Sequence, residues 1–407
     1  MNLTERYPKV VLEEVEENRV HIKNLWNDDS FLLRFNKDTD LTFLNSLYFP
    51  EELMASYSIE KGIIEVYAFP LDPNEELVKR SFTFNYKGNS YLCNWEKPTE
   101  DFEKIATAFR EDKEESKTSY RNLRQFRDYY RKDELPDFLS KYFKDKEPFN
   151  FFIKGNFKPI ENEIVEFCRH LNFYMSYFDR LTPNVQIFQK SYKKENFKVP
   201  CYSLFDTFPD TINGTEIDNI LLEIITVANS TTDNRLSFIF YYQILEYASY
   251  YYLKSDIKHK LTTLLKKPDI SYNSEEYSKT IIEEFKNHFK NNDDKAKLEM
   301  LISEHVKLKD LKIELEDNIE YFSRKLEFEG GFKLDPIMKN ELTGIEQLPE
   351  NTIKIIKENI VSIRNSLVHL RESRENKVIL PTAKNDDLLT PYLYVLRRIS
   401  EKIIIER

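Results

Sequence analysis

Seven glycines in 407 residues is the tightest constraint this sequence places on its fold. Glycine lets a backbone enter positive φ or approach a ligand closely. The seven are Gly62, Gly88, Gly155, Gly214, Gly330, Gly331 and Gly344, and they form neither GxGxxG nor GxxxxGK[ST]. Phosphate-cradling loops depend on such patterns, so Rossmann and P-loop classes are excluded. Collagen-like and glycine-linker chains are excluded by the same shortage.

What the chain lacks in glycine it makes up in aromatics, with 30 Phe and 25 Tyr, which excludes wholesale disorder. Its length predicts two or three domains and a sizeable core. A net charge of −10 argues against a protein coated in positive charge for nucleic acid. The three cysteines, Cys93, Cys168 and Cys201, are widely spaced and suggest neither a disulfide framework nor a zinc site. MNLTERYPKV holds no apolar h-region, so a reducing, cytoplasmic setting is expected. The most membrane-like stretch, Leu236–Leu253, carries Gln243, Glu246 and many tyrosines and reads as a buried helix, not a span.

The pattern predicts an α+β chain. Residues 1–215 form a mixed N-terminal region, β-rich over 1–97 and mixed over 98–215. Short β-branched and aromatic runs at Arg19–Leu25, Ser30–Phe35 and Gly62–Phe69 read as strands. Ser81–Tyr86 and Ser90–Trp95 flank a hairpin loop, and Pro148–Phe157 is a later strand. Helical runs cover Thr99–Arg110, Thr118–Arg131 and Asn162–Phe178, and the domain boundary is placed at Pro209–Gly214. Residues 216–407 read as all helix. Expected helices include Asn234–Leu253, Leu308–Leu326, Thr352–Leu370 and Pro391–Glu406, the last capped by Thr390 with Pro391 at its first position.

One constellation rises above this background. Ile353, Ile356, Ile360, Ile363, Leu367 and Leu370 recur at spacings of three and four, an apolar stripe on one helix. At about 100° per residue, Asn365 and His369 fall about 200° and 240° from Ile363, stacked on the face away from the core. Arg364 lies on the flank, about 140° from His369. Histidine suits proton transfer near neutral pH, arginine offers a charged fork for phosphate, and asparagine can orient the histidine or bind RNA by hydrogen bonds. The remaining histidines show no paired metal spacing, so no metal and no cofactor is expected. Glu246 has two readings: a carboxylate orienting Arg364 or His369, or a buried acid in a structural ion pair. The tyrosines at 241, 242, 247, 250, 251 and 252 read first as packing and second as base-stacking surface. The basic runs Lys254–Lys267 and Lys190–Lys198 read as solvated faces before phosphate contacts.

The string Arg364-Asn365-Ser366-Leu367-Val368-His369 resembles the RNxxxH form of the Rx4–6H motif of HEPN-superfamily ribonucleases. The aromatic segment around Glu246, FYYQILEY, looks like an early HEPN helix. A mixed N-terminal region before a C-terminal HEPN domain also resembles the ApeA-like proteins of bacterial anti-phage defence. The resemblance implies an all-α HEPN helical bundle over 216–407. It implies metal-independent endoribonuclease activity in abortive infection, with RNA as substrate and 2′,3′-cyclic phosphate products. Under it His369 is general acid/base, Arg364 binds phosphate, and Asn365 and Glu246 orient them. It further implies a homodimer with a shared cleft, a phage-derived trigger at the N-terminal region, and no membrane partner. The competing expectation is a non-catalytic HEPN dimerisation or sensor module that binds a phage or host partner or a nucleotide.

Overall fold

The computed structural model describes residues 3–14, 18–28, 30–58, 60–111, 120–189, 192–202, 208–214, 216–250, 255–291, 294–338, 348, 351–368 and 377–406. The chain is α+β and divides into two compact units, Met1–Ser191 and Tyr192–Arg407.

The first unit opens with a short helix, α1 (Leu3–Arg6), and a four-stranded antiparallel sheet in the order β1 (Val11–Glu14), β2 (Arg19–Lys23), β3 (Phe31–Asn36), β8 (Phe109–Glu111). Helices α2 (Glu100–Ala108) and α3 (Arg121–Tyr130) cover it, and Phe31, Phe102, Phe109 and Phe126 fill the core between. A second sheet of five strands runs β4 (Ala55–Ser58), β5 (Ile63–Leu71), β9 (Glu147–Lys154), β7 (Asn89–Glu96), β6 (Ser81–Tyr86). Between β8 and β9 lies the short α4 (Asp137–Ser140), and α5 (Ile164–Phe178) packs Phe167, Cys168 and Leu171 onto the second sheet. The β6–β7 hairpin turns on Lys87 and Gly88 alone, at φ +48° and +78°. That is the two-residue turn whose twist matches the strands; Asn89, expected in the loop, pairs with Tyr86.

The second unit is helical: α6 (Asn219–Ser230), α7 (Asn234–Tyr250), α8 (Ser255–Leu265), α9 (Ser274–Asn291), α10 (Asp294–His305), α11 (Lys312–Glu316), α12 (Ile319–Phe322), α13 (Thr352–Val368) and α14 (Ala383–Glu406). A two-stranded ribbon, β10 (Leu326–Glu327) with β11 (Lys333–Leu334), interrupts it. Helix α7 packs against α6, α10, α13 and α14, and its Phe238, Ile244, Leu245 and Ala248 are fully buried. Burial among helices accounts for the apolar length of this segment. No described helix is long and apolar enough to cross a membrane.

Three expectations are corrected. The boundary falls at Ser191/Tyr192, not at residue 215, because 192–202 is tied to the helices. Tyr192 hydrogen-bonds Asp387, Lys198 pairs with Asp317, and Arg324 pairs with Glu195. Of the basic run, Lys194 and Lys198 are spent on ion pairs with Asp387 and Asp317. Second, Leu308–Leu326 is not one helix. Asn318 leaves helical geometry at φ −125°, ψ 39°, and its side chain bonds both Lys198 N and Lys198 O at 3.0 Å. Third, α14 begins at Ala383, two turns before Pro391. Thr382 Oγ1 accepts from Asn385 N, and the missing proline N–H is tolerated where side chains serve neighbouring carbonyls. Asn234 Nδ2 donates to Asp386 O at 2.9 Å and Tyr321 Oη to Leu388 O at 2.8 Å.

Candidate functional site

The site is assembled by two helices of the second unit. On α13, Ile356, Ile360 and Ile363 are fully buried, while Ile353 and Leu367 pack at the margin, so the predicted stripe faces the core. The buried face is broader than the stripe: Lys357 and Ser366 are also buried. Lys357 Nζ donates to Ser303 Oγ at 2.6 Å and Glu299 O at 3.3 Å on α10, and burial lowers its pKa. Sequence reasoning passed over Lys357. Its signal was a cation beside the stripe, seven residues and two turns before Arg364.

Arg364 emerges at the edge of that face and is held from three sides. Its Nη2 donates to Glu246 Oε1 on α7 at 2.7 Å. Its Nη1 donates to Asn365 Oδ1 at 3.2 Å. Its guanidinium carbon lies 5.3 Å from the Tyr242 ring centroid, within cation–π range. Burial raises the Tyr242 phenol pKa, with the Arg364 charge opposing and Glu246 reinforcing the rise.

The structure thus brings Arg364, Asn365 and Glu246 together. His369 lies outside the described residues. Asn365, expected on the solvent face, is half-buried and its carbonyl oxygen serves Arg364. Glu246 is not the buried acid of one expectation: its side chain is 47% exposed against 24% for Arg364. Tyr241 and Tyr242 are core residues, and Tyr247 hydrogen-bonds Asp218 at 3.0 Å. The side chain of Tyr250 and the whole of Tyr251 and Tyr252 lie outside the described part.

A guanidinium fixed by a carboxylate and an amide and partly open to solvent is an oriented positive charge of the kind that can meet a phosphate. Among the described residues no group of three or more His, Cys, Asp or Glu is arranged to hold a metal ion. No protein-family model, no curated protein and no solved structure matches this chain.

Proposed function

We propose that the helical unit is a HEPN-type, metal-independent endoribonuclease acting in the cytoplasm in anti-phage defence by abortive infection. The observation that carries this reading is the held guanidinium of Arg364 on helix α13, which carries Arg364–Val368 of the RNxxxH string. In the reaction, His369 takes the proton from a ribose 2′-hydroxyl as the 2′-oxygen attacks phosphorus. The P–O5′ bond breaks, a proton is delivered to the departing 5′-oxygen, and the products are a 2′,3′-cyclic phosphate and a 5′-hydroxyl. Arg364 neutralises charge gathering on the phosphate, and Glu246 and Asn365 keep its fork aimed. One histidine cannot serve both proton transfers at once, so a two-fold dimer pooling two Arg364 and two His369 completes the site. The N-terminal unit is assigned the role of receiving a phage-derived trigger.

The test is to sequence RNA ends after expressing wild type and His369→Ala in bacteria. New 5′-hydroxyl ends in wild type alone support the proposal. Identical ends in both remove the site.

The same ion pair favours a second reading, since Glu246 occupies part of the Arg364 fork. In it the helical unit is a non-catalytic dimerisation or sensor module. Partner binding without RNA cleavage distinguishes this reading from the first.

A further inference from the structure

Within the first unit, the five-stranded sheet carries a cavity of about 440 Å³ that no residue of α5 lines. Its floor is Val66 of β5, Phe151 of β9 and Trp95 of β7, on the face to which α5 packs farther along. Its walls are the first turns of α3, Tyr142, and the segment Pro183–Gln186. The volume lies in the range of small-molecule sites.

The local backbone is built for this opening. The β5–β9 ladder breaks between Val66 and Phe69, a bulge of the kind that terminates pairing beside sites. The freed groups are served by side chains: Asn150 Oδ1 accepts from Ala68 N at 2.9 Å, and Asn122 Nδ2 donates to Tyr67 O at 2.8 Å. Asn122 is thereby committed to the fold. The side chains of Arg121, Gln125 and Gln186, which also line the cavity, make no hydrogen bond or ion pair among the described residues.

Two observations define what would fill it. Among the described residues no acid lines the cavity, although the chain carries 70 of them, and the one charged lining group is Arg121. Lys146, which is not a lining residue, has its Nζ 3.4 Å from the ring centroid of the lining Tyr142. The half-buried Trp95 offers a ring face, while one face of the exposed Tyr142 is covered by Lys146. Ring faces take a flat π-system, free amides pair with donors and acceptors on its edge, and a free guanidinium takes an oxyanion. A purely apolar ligand would use only the rings, and an inorganic anion only the arginine.

We propose that this cavity binds a free nucleoside monophosphate, its base against Trp95, its polar edge at Gln125 and Gln186, and its phosphate at Arg121. The proposal does not rest on the ribonuclease reading, because it uses the other unit and no catalytic residue.

The chain has only two tryptophans, and Trp26 is buried among Phe31, Phe49 and Tyr67, so Trp95 is the emission that a stacked base would quench. AMP, GMP, CMP and UMP are titrated into the full chain, followed by tryptophan emission and calorimetry. At least one is expected to bind with saturable quenching. Trp95→Phe should abolish the quench while leaving calorimetric binding within about threefold, since phenylalanine still stacks. Arg121→Ala should weaken that nucleotide about tenfold and leave the matching nucleoside unchanged. Retained Trp26 emission and circular dichroism establish that the variants fold. Absence of heat and quenching with all four nucleotides up to about 1 mM overturns the proposal. So does equal loss of nucleotide and nucleoside in Arg121→Ala, or tighter binding of a single-stranded RNA hexamer than of any mononucleotide.

Discussion

Arg364 on α13 donates to Glu246 on α7 across 2.7 Å, joining two helices whose residues lie 118 positions apart. The pair sits at the rim of the helical core, with the arginine more enclosed than the glutamate. Pairs this open to solvent contribute about 0–1 kcal/mol, and less in high salt. Its main effect is therefore geometric: it narrows the directions in which the guanidinium can point.

Glu246→Gln should cost less than about 1 kcal/mol in urea denaturation. If Glu246 aims Arg364, RNA cleavage should fall about tenfold in kcat with little change in KM, since the lost alignment matters most in the transition state. An unchanged kcat takes Glu246 out of the site.

His369→Ala should remove RNA cleavage and any toxicity, because the proposed chemistry needs an imidazole for proton transfer. The sequence puts His369 off the apolar stripe, so a melting curve should shift little, in line with about 0.5 kcal/mol or less for surface changes. Wild-type cleavage should persist in EDTA. Dependence on added Mg²⁺ would assign the activity to a different centre.

Glu314 and Arg398 form the pair expected to matter most for folding. Glu314 is buried, its Oε1 accepts from Arg398 Nε at 2.6 Å, and its Oε2 has no hydrogen-bond partner among the described residues. Arg398→Met leaves that carboxylate buried beside an apolar chain and should cost about 3–5 kcal/mol. Combining it with Glu314→Leu should recover part of the loss in a double-mutant cycle. Additive costs would show that the two side chains are not coupled.

Glu65 supplies a pH dependence. It is 3% exposed, accepts from Thr99 N, Thr99 Oγ1 and Asn150 Nδ2, and has no cation among these partners. Burial raises its pKa, against the opposing hydrogen bonds. A carboxyl with a raised folded-state pKa contributes stability that is complete below its unfolded value of about 4.3 and is lost as pH rises through the folded value. Relative to Glu65→Gln, the wild type should therefore lose stability from acid towards neutral pH. Denaturant midpoints of both proteins across that range check it; parallel curves would show that Glu65 does not titrate with folding.

Local signals were enough for much of this protein. The strands at Arg19–Lys23, Phe31–Asn36 and Ser81–Tyr86, and helix α13, were legible because period-2 and period-3.6 burial is written directly into residue order. The α+β class followed from the same periodicity, whereas Arg364 and Asn365 were grouped by their adjacency in the RNxxxH string; periodicity had stacked Asn365 with His369 instead. Tertiary structure decided what depends on partners distant in sequence. Asn318 broke a predicted helix by pairing with Lys198, 120 residues away. The segment from Tyr192 joined the helical unit through Asp387 and Asp317, so composition alone misplaced the boundary. Pro391 sits inside α14, where Asn234 and Tyr321 satisfy nearby carbonyls. Glu246 met Arg364 only once α7 had packed on α13, since an ion pair is a matter of distance in space and residue order carries no such distance.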